Sequence, residues 1–251
     1  MTTPPWPSPV PELVLLTDRA QLPPGRDLTA QVAAAVGGGA RAVVLREKDL
    51  ARDQRRRLAD ELLGLLRPVG GVLLVASDVT LAREVGADGV HLAAADPGPV
   101  ADDTDPSTNP HGGPDADGGS LIVGRSAHDL DELLVAQAER AGYATCSPIF
   151  ASASKPGYGP ALGLDGLRAA ASRVLVPIYA LGGITPANTA ACRTAGAAGV
   201  AVMGEVMRAH DPASVVADLL AVLHGTARSA PGIAPAAAVE PPSVHRIGAR
   251  P

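Results

Sequence analysis

Short apolar runs, each closed by a polar turn, recur along the chain at Leu13–Leu16, Ala42–Leu45, Val72–Val75, Gly89–Leu92, Leu121–Gly124, Tyr143–Ser147, Val176–Ala180 and Gly199–Met203. Such runs predict strands. Between and after them, apolar residues return at helical spacing over Leu28–Val36, Asp53–Leu66, Val79–Val85, Leu130–Ala141, Leu164–Ala171, Pro186–Ala195 and Pro212–Leu223. Eight strands alternating with helices in about 215 residues predict a single (β/α)8 TIM barrel, and the near-continuous apolar strands suit a parallel sheet covered on both faces. A doubly wound open sheet shares this alternation and is the rival arrangement. Two stretches break the rhythm. Segment 97–120, rich in Asp, Gly and Pro, lacks apolar periodicity and is expected to be a disordered insert where a fourth helix would stand. Segment 226–251, dominated by Ala, Pro and Arg, is expected to be a disordered tail; with residues 1–11 as a flexible N-terminus, residues 12–225 form the barrel domain.

Composition narrows the class. Hydrophobic residues make up 46% of the 251, enough for a sizeable core. A net charge of −5 with 2% aromatic residues argues against nucleic-acid binding, which calls for a basic face and usually stacking rings. The two cysteines, Cys146 and Cys192, lack metal-type spacing and read as buried reduced thiols. The opening residues show no signal-peptide pattern and no 18-residue apolar run occurs, so a soluble cytoplasmic protein with no membrane partner is expected. A homo-oligomer is left open.

In a barrel the active site forms at the carboxyl ends of the strands, so the residues just after each run carry the chemistry. They are strongly polar: Arg46-Glu47-Lys48, Ser77-Asp78, Asp96, Arg125-Ser126-Ala127-His128, Ser152, Ser154 and Lys155, Gly182-Gly183, and Met203-Gly204. Lys48 and Lys155 are the only lysines, against 19 arginines. In a chain that uses Arg so freely, a retained Lys points to a need for a compact ammonium. Converging cations, carboxylates, hydroxyls and a Gly pair suit small phosphorylated ligands with a divalent metal. Each feature also has a plainer reading. Gly182-Gly183 is either an ordinary turn or, with Met203-Gly204, a phosphate cradle at a helix start; Asp78 is a metal ligand or a helix cap. Arg46 and Glu47 are a solvated ion pair or part of the site, His128 an acid/base or a first-turn residue, and His91 is read as structural.

Six ordered motifs, Leu-Arg46-Glu47-Lys48, Ser-Asp78, Ala87-Asp-Gly-Val-His91-Leu with Asp96, Gly124-Arg-Ser-Ala-His128, Pro148-Ile-Phe-Ala-Ser-Ala-Ser-Lys155 and Ala180-Leu-Gly-Gly-Ile184, resemble the thiamine-phosphate synthase/TenI family over residues 12–224. The resemblance implies the same barrel fold. It also implies synthase chemistry, in which Mg²⁺ and cations hold the departing diphosphate of a hydroxymethylpyrimidine substrate and the nitrogen of a thiazole phosphate captures the pyrimidine-methyl group. Arg46 and Lys48 would then contact the diphosphate, Asp78 and Asp96 would bind Mg²⁺, and Ser126 and Lys155 would hold the leaving group. Ser77, Ser152 and Ser154 would line the substrates, while Gly182, Gly183, Met203 and Gly204 would hold the thiazole phosphate. The chain departs from the synthase pattern at Val44 and Ala94, each in place of Gln, at Ser77 in place of Asn, and at Ser-Ala-Ser in place of Thr-x-Thr. Gly-Arg-Ser-x-His also fits TenI-type thiazole tautomerases, whose His is the acid/base. A non-catalytic barrel that binds thiamine precursors is a third reading.

Overall fold

Residues 10–98, 121–152 and 160–225 are described by a computed structural model of the chain. The strands β1 (Leu13–Leu16), β2 (Ala42–Leu45), β3 (Val72–Ala76), β4 (Gly89–Leu92), β5 (Ile122–Ala127), β6 (Tyr143–Cys146), β7 (Ile178–Leu181) and β8 (Gly199–Val202) pair in chain order, all parallel, and β8 returns to β1 to close the barrel. Closure excludes the open doubly wound sheet. The helices are α1 (Leu28–Gly37), α2 (Arg52–Leu66), α3 (Val79–Val85), α4 (Leu130–Ala138), α5 (Gly163–Ala171), α6 (Pro186–Thr194), α7 (Gly204–Met207) and α8 (Pro212–Leu223). Asp side chains open several of them by accepting the backbone N–H three residues on, as Asp27, Asp129 and Asp211 do for α1, α4 and α8.

Because strand side chains alternate between faces, the apolar runs split into two cores. Val43, Leu45, Leu73, Val75 and Val90 point outward against the helices, while Val14, Leu16, Val44, Leu74, Tyr143 and Tyr179 fill the barrel interior. Two differences from the expected elements matter for the site. Strand β5 continues past Gly124 to Ala127, since Arg125, Ser126 and Ala127 pair with Ala144, Thr145 and Cys146 of β6. A short helix, α7, which is not among the expected elements, begins at Gly204. The expected insert falls outside the described residues from position 99 onward, Pro97 and Gly98 belonging to the described loop after β4; segments 1–9 and 226–251 also lie outside.

Candidate active site

The loops after the strands enclose a cavity of about 960 Å³ at the carboxyl end of the barrel, a size suited to a small-molecule site. On the β2 side, Arg46 and Lys48 line it. Their turn is pinned from behind. The Arg46 amide donates to the buried Thr17 hydroxyl at 2.9 Å, and the carboxylate of Glu47, 2% exposed, takes the backbone N–H and Nη1 of Arg19 at 3.1 and 2.9 Å. Glu47 therefore pairs with Arg19 and not with Arg46. Neither Arg46 nor Lys48 forms an ion pair among the described residues, which leaves both charges for a ligand.

Across the cavity, Gly182, Gly183, Met203 and Gly204 line the β7–β8 side. Both glycines of the pair have positive φ, 95° and 63°, and a Cβ on either would strike the loop after β6, lying 2.9 Å from Pro148 Cα or 2.5 Å from the Ala151 carbonyl. That loop, which carries Ser152 to the cavity, hydrogen-bonds to the same turn through Phe150 N–H to Gly182 O at 3.0 Å. The Gly183 and Ile184 amides donate to no backbone carbonyl among the described residues, so they are available to an anion. Ser154 and Lys155 lie outside the described residues.

Ser126 and His128 face the cavity from β5 and the turn after it. His128 Nδ1 stands 2.8 Å from Glu132 Oε2, and the same oxygen takes the His128 amide at 2.7 Å. His91, read from sequence as structural, lines the cavity floor while only 5% exposed. Burial, with Lys48 and Arg46 adding to it, pushes its pKa down to about 4.

Neither Asp78 nor Asp96, the carboxylates taken as metal ligands, lines the cavity; Ala93, Ala94 and Ala95, just before Asp96, do. Asp78 caps α3, its Oδ1 accepting Leu81 N–H at 2.8 Å, and its Oδ2 takes Arg55 Nη2 at 3.0 Å. It is a cap and an ion-pair partner at once. Asp96 Oδ2 accepts the Ala93 amide at 2.7 Å and the Ser77 hydroxyl, and no hydrogen bond among the described residues engages its Oδ1. Partial burial pushes the Asp96 pKa up, but Ser77, the Ala93 amide and the nearby Lys48 and Arg125 outweigh this and hold the carboxyl below the usual range. Among the described residues no cluster of three or more His, Cys, Asp or Glu could cage a metal alone. Of the two, Asp96 keeps an open carboxylate oxygen, whereas both oxygens of Asp78 are already engaged by the α3 cap and Arg55; one open carboxylate is enough for Mg²⁺, which commonly takes one or two and completes its shell with substrate phosphate and water. Ala94 lines the cavity, so the wall there is less polar than the synthase pattern implies, while Val44 is fully buried in the barrel interior and does not line the cavity.

Glu132 and Arg208 also line the cavity and were missed in the sequence. Helix spacing alone offered a signal for Glu132, four residues after His128. Arg208 follows α7, the helix the apolar pattern did not reveal.

Comparison with known proteins places these features in a family. The model of the thiamine monophosphate synthase family matches residues 13–206. The thiamine-phosphate synthase of Chloroflexus aurantiacus is 39% identical over 218 residues, 87% of this chain and 95% of that protein. That of Moorella thermoacetica is 36% identical over 79% of this chain and 90% of its own. The solved structure of thiamine phosphate pyrophosphorylase from Pyrococcus furiosus superposes with a TM-score of 0.72 at 28% identity, covering 87% of this chain and 98% of that one.

Proposed function

Because the chain belongs to the thiamine monophosphate synthase family, we propose that it joins hydroxymethylpyrimidine diphosphate to thiazole phosphate, releasing diphosphate and thiamine phosphate. The observation that carries this reading is the two-sided cavity: Arg46 and Lys48, which form no ion pair among the described residues, face a glycine-lined, amide-rich wall across one space large enough for two phosphorylated reactants. In the reaction the bond between the pyrimidine methylene carbon and the diphosphate oxygen breaks, and its electron pair leaves with the oxygen. The thiazole nitrogen then supplies the pair for the new C–N bond. No proton need be abstracted, so the protein's task is to position charge where it develops.

Arg46 and Lys48 bind the diphosphate, and Ser126 donates to it. Asp78 and Asp96 would hold Mg²⁺, which when bound neutralises the charge that builds on the departing diphosphate. Gly182, Gly183 and the Met203-Gly204 segment hold the thiazole phosphate at the opposite wall, with Ser77, Ser152 and Ser154 beside the substrates. Lys155 holds the leaving diphosphate, a role that rests on the sequence motif. The enzyme works on small phosphorylated substrates in the cytoplasm. Purified protein incubated with both substrates should form thiamine phosphate with Mg²⁺ and lose that activity in EDTA; absence of product under both conditions would overturn the assignment.

One observation favours a second reading. The His128 imidazole, oriented by Glu132 at the cavity wall, is built as a tautomerase acid/base would be. An EDTA-insensitive isomerisation of a carboxylated thiazole phosphate would establish it.

A further inference from the structure

His91, Gly124 and Tyr143 occupy one row of the barrel, paired strand to strand across β4, β5 and β6. Gly124 keeps that row open. A Cβ there would lie 2.3 Å from Tyr143 Cζ, so only the bare backbone lets the phenol reach across β5 toward β4. Tyr143 Oη then sits 2.9 Å from His91 Nδ1, with the two rings stacked at 5.5 Å, and His91 Nε2 lies 3.0 Å from Ser126 Oγ.

The direction of each bond follows from which groups are buried. Tyr143 is fully buried, and His91 is the one hydrogen-bond partner of its phenol among the described residues. A buried O–H left without an acceptor is costly, so the phenol donates, and Nδ1 must be the unprotonated nitrogen. A buried imidazole in this cationic setting is neutral at neutral pH, so its single proton is on Nε2. That proton goes to Ser126 Oγ. With a lone pair so engaged, and no acceptor for its own proton among the described residues, the Ser126 hydroxyl has the cavity to donate into.

We infer that Tyr143 and His91 are positioning residues: they form a one-way donor chain, Tyr143 to His91 to Ser126, that commits Ser126 to donate to an acceptor-only, anionic oxygen in the cavity. That this anion is the leaving diphosphate rests on the synthase reading; the chain itself does not. An ordinary core histidine would merely fill space, whereas here the tautomer selects what Ser126 can bind.

Two measurements test this on the full chain. Long-range ¹H–¹⁵N correlation spectra of the ¹⁵N-labelled protein should show neutral His91 protonated at Nε2 at pH 7, and an Nδ1-protonated or doubly protonated ring would overturn the inference. Binding of inorganic diphosphate with Mg²⁺ should weaken about fivefold in Tyr143→Phe, the size of one neutral hydrogen bond. The same substitution in a Ser126→Ala background should cost nothing further. Equal losses in both backgrounds would show that Tyr143 does not act through Ser126. Should Tyr143→Phe fail to fold, the wild-type tautomer still decides. If the expected tautomer is found but diphosphate does not bind to the wild type, the diphosphate assignment falls and the donor chain stands.

Discussion

Ser77 adopts φ 57°, a left-handed conformation that glycine and asparagine accept more readily than other residues, and its hydroxyl braces Asp96. A β-branched residue there meets both the backbone strain and the loss of that bond. Ser77→Val should therefore lower stability by about 1–3 kcal/mol in urea unfolding, and an unchanged midpoint would show that the turn relaxes freely. Asp96→Asn removes a charge but keeps the size, so it should reduce Mg²⁺-dependent turnover at least about tenfold. Kinetics equal to wild type would remove Asp96 from the site. His128→Asn separates the two enzyme readings: about tenfold loss or less if charge positioning dominates, about 10²–10⁴-fold if the imidazole shuttles a proton. At this scale the sequence showed residue types well. Arg46, Lys48, Ser126 and the Gly pair stood out as polar or bare positions after apolar runs, and all reach the cavity. His91 did not stand out, because a histidine ending a strand looks the same whether it touches core or ligand.

Strand β5 and the loop after β4 are joined by a clamp that no local pattern predicts. Arg125, on the outer face of β5, donates through Nε and Nη2 to the Glu139 carboxylate at 2.6 Å each, and through Nη1 to the carbonyls of Ala93 and Asp96 at 2.8 and 2.6 Å. This holds the backbone that carries Asp96. The two partners differ in exposure, Arg125 4% and Glu139 29%, so water can reach a stranded carboxylate far better than a stranded guanidinium. Glu139→Ala should accordingly cost about 3 kcal/mol, and Arg125→Met less. Denaturation of the two variants checks the order, and a reversed ranking would mean that the carbonyl bonds, not the ion pair, dominate. The same clamp explains why β5 outruns its apolar stretch: Arg125 tolerates burial once Glu139 neutralises it, and pairing with β6 carries the strand on to Ala127.

For the molecule as a whole, the buried neutral His91 makes folding sensitive to acid. Its pKa falls from 6.5 to about 4 on folding, so the unfolded chain takes up a proton there that the folded chain refuses. The associated stability is complete above pH 6.5 and is lost as pH drops toward 4, by about 3 kcal/mol in total. Urea midpoints at pH 7 and pH 4.5 should show the decline in wild type and a smaller one in His91→Gln; equal declines would place the acid sensitivity elsewhere. No helix among the described residues is long and apolar enough to cross a membrane. Pro99–Gly118 has the composition of a segment that buries little apolar surface, so replacing it with a short Gly/Ser linker should leave the melting temperature within a few degrees. A large drop would show that these residues support the barrel.

The sequence by itself determined the alternation of strands and helices and the polar residues at the strand ends, because periodicity and turn chemistry depend on near neighbours; only the pairing of β8 with β1 decided between a closed barrel and an open sheet. Tertiary structure decided the rest. That Glu47 answers Arg19, that Arg125 grips the Asp96 loop, that Gly124 clears a path from Tyr143 to His91, and that Glu132 and Arg208 reach the cavity all depend on strand register and barrel closure. Such partners lie tens of residues apart in the chain, and their distances exist only once the β-strands pair and the ring is shut.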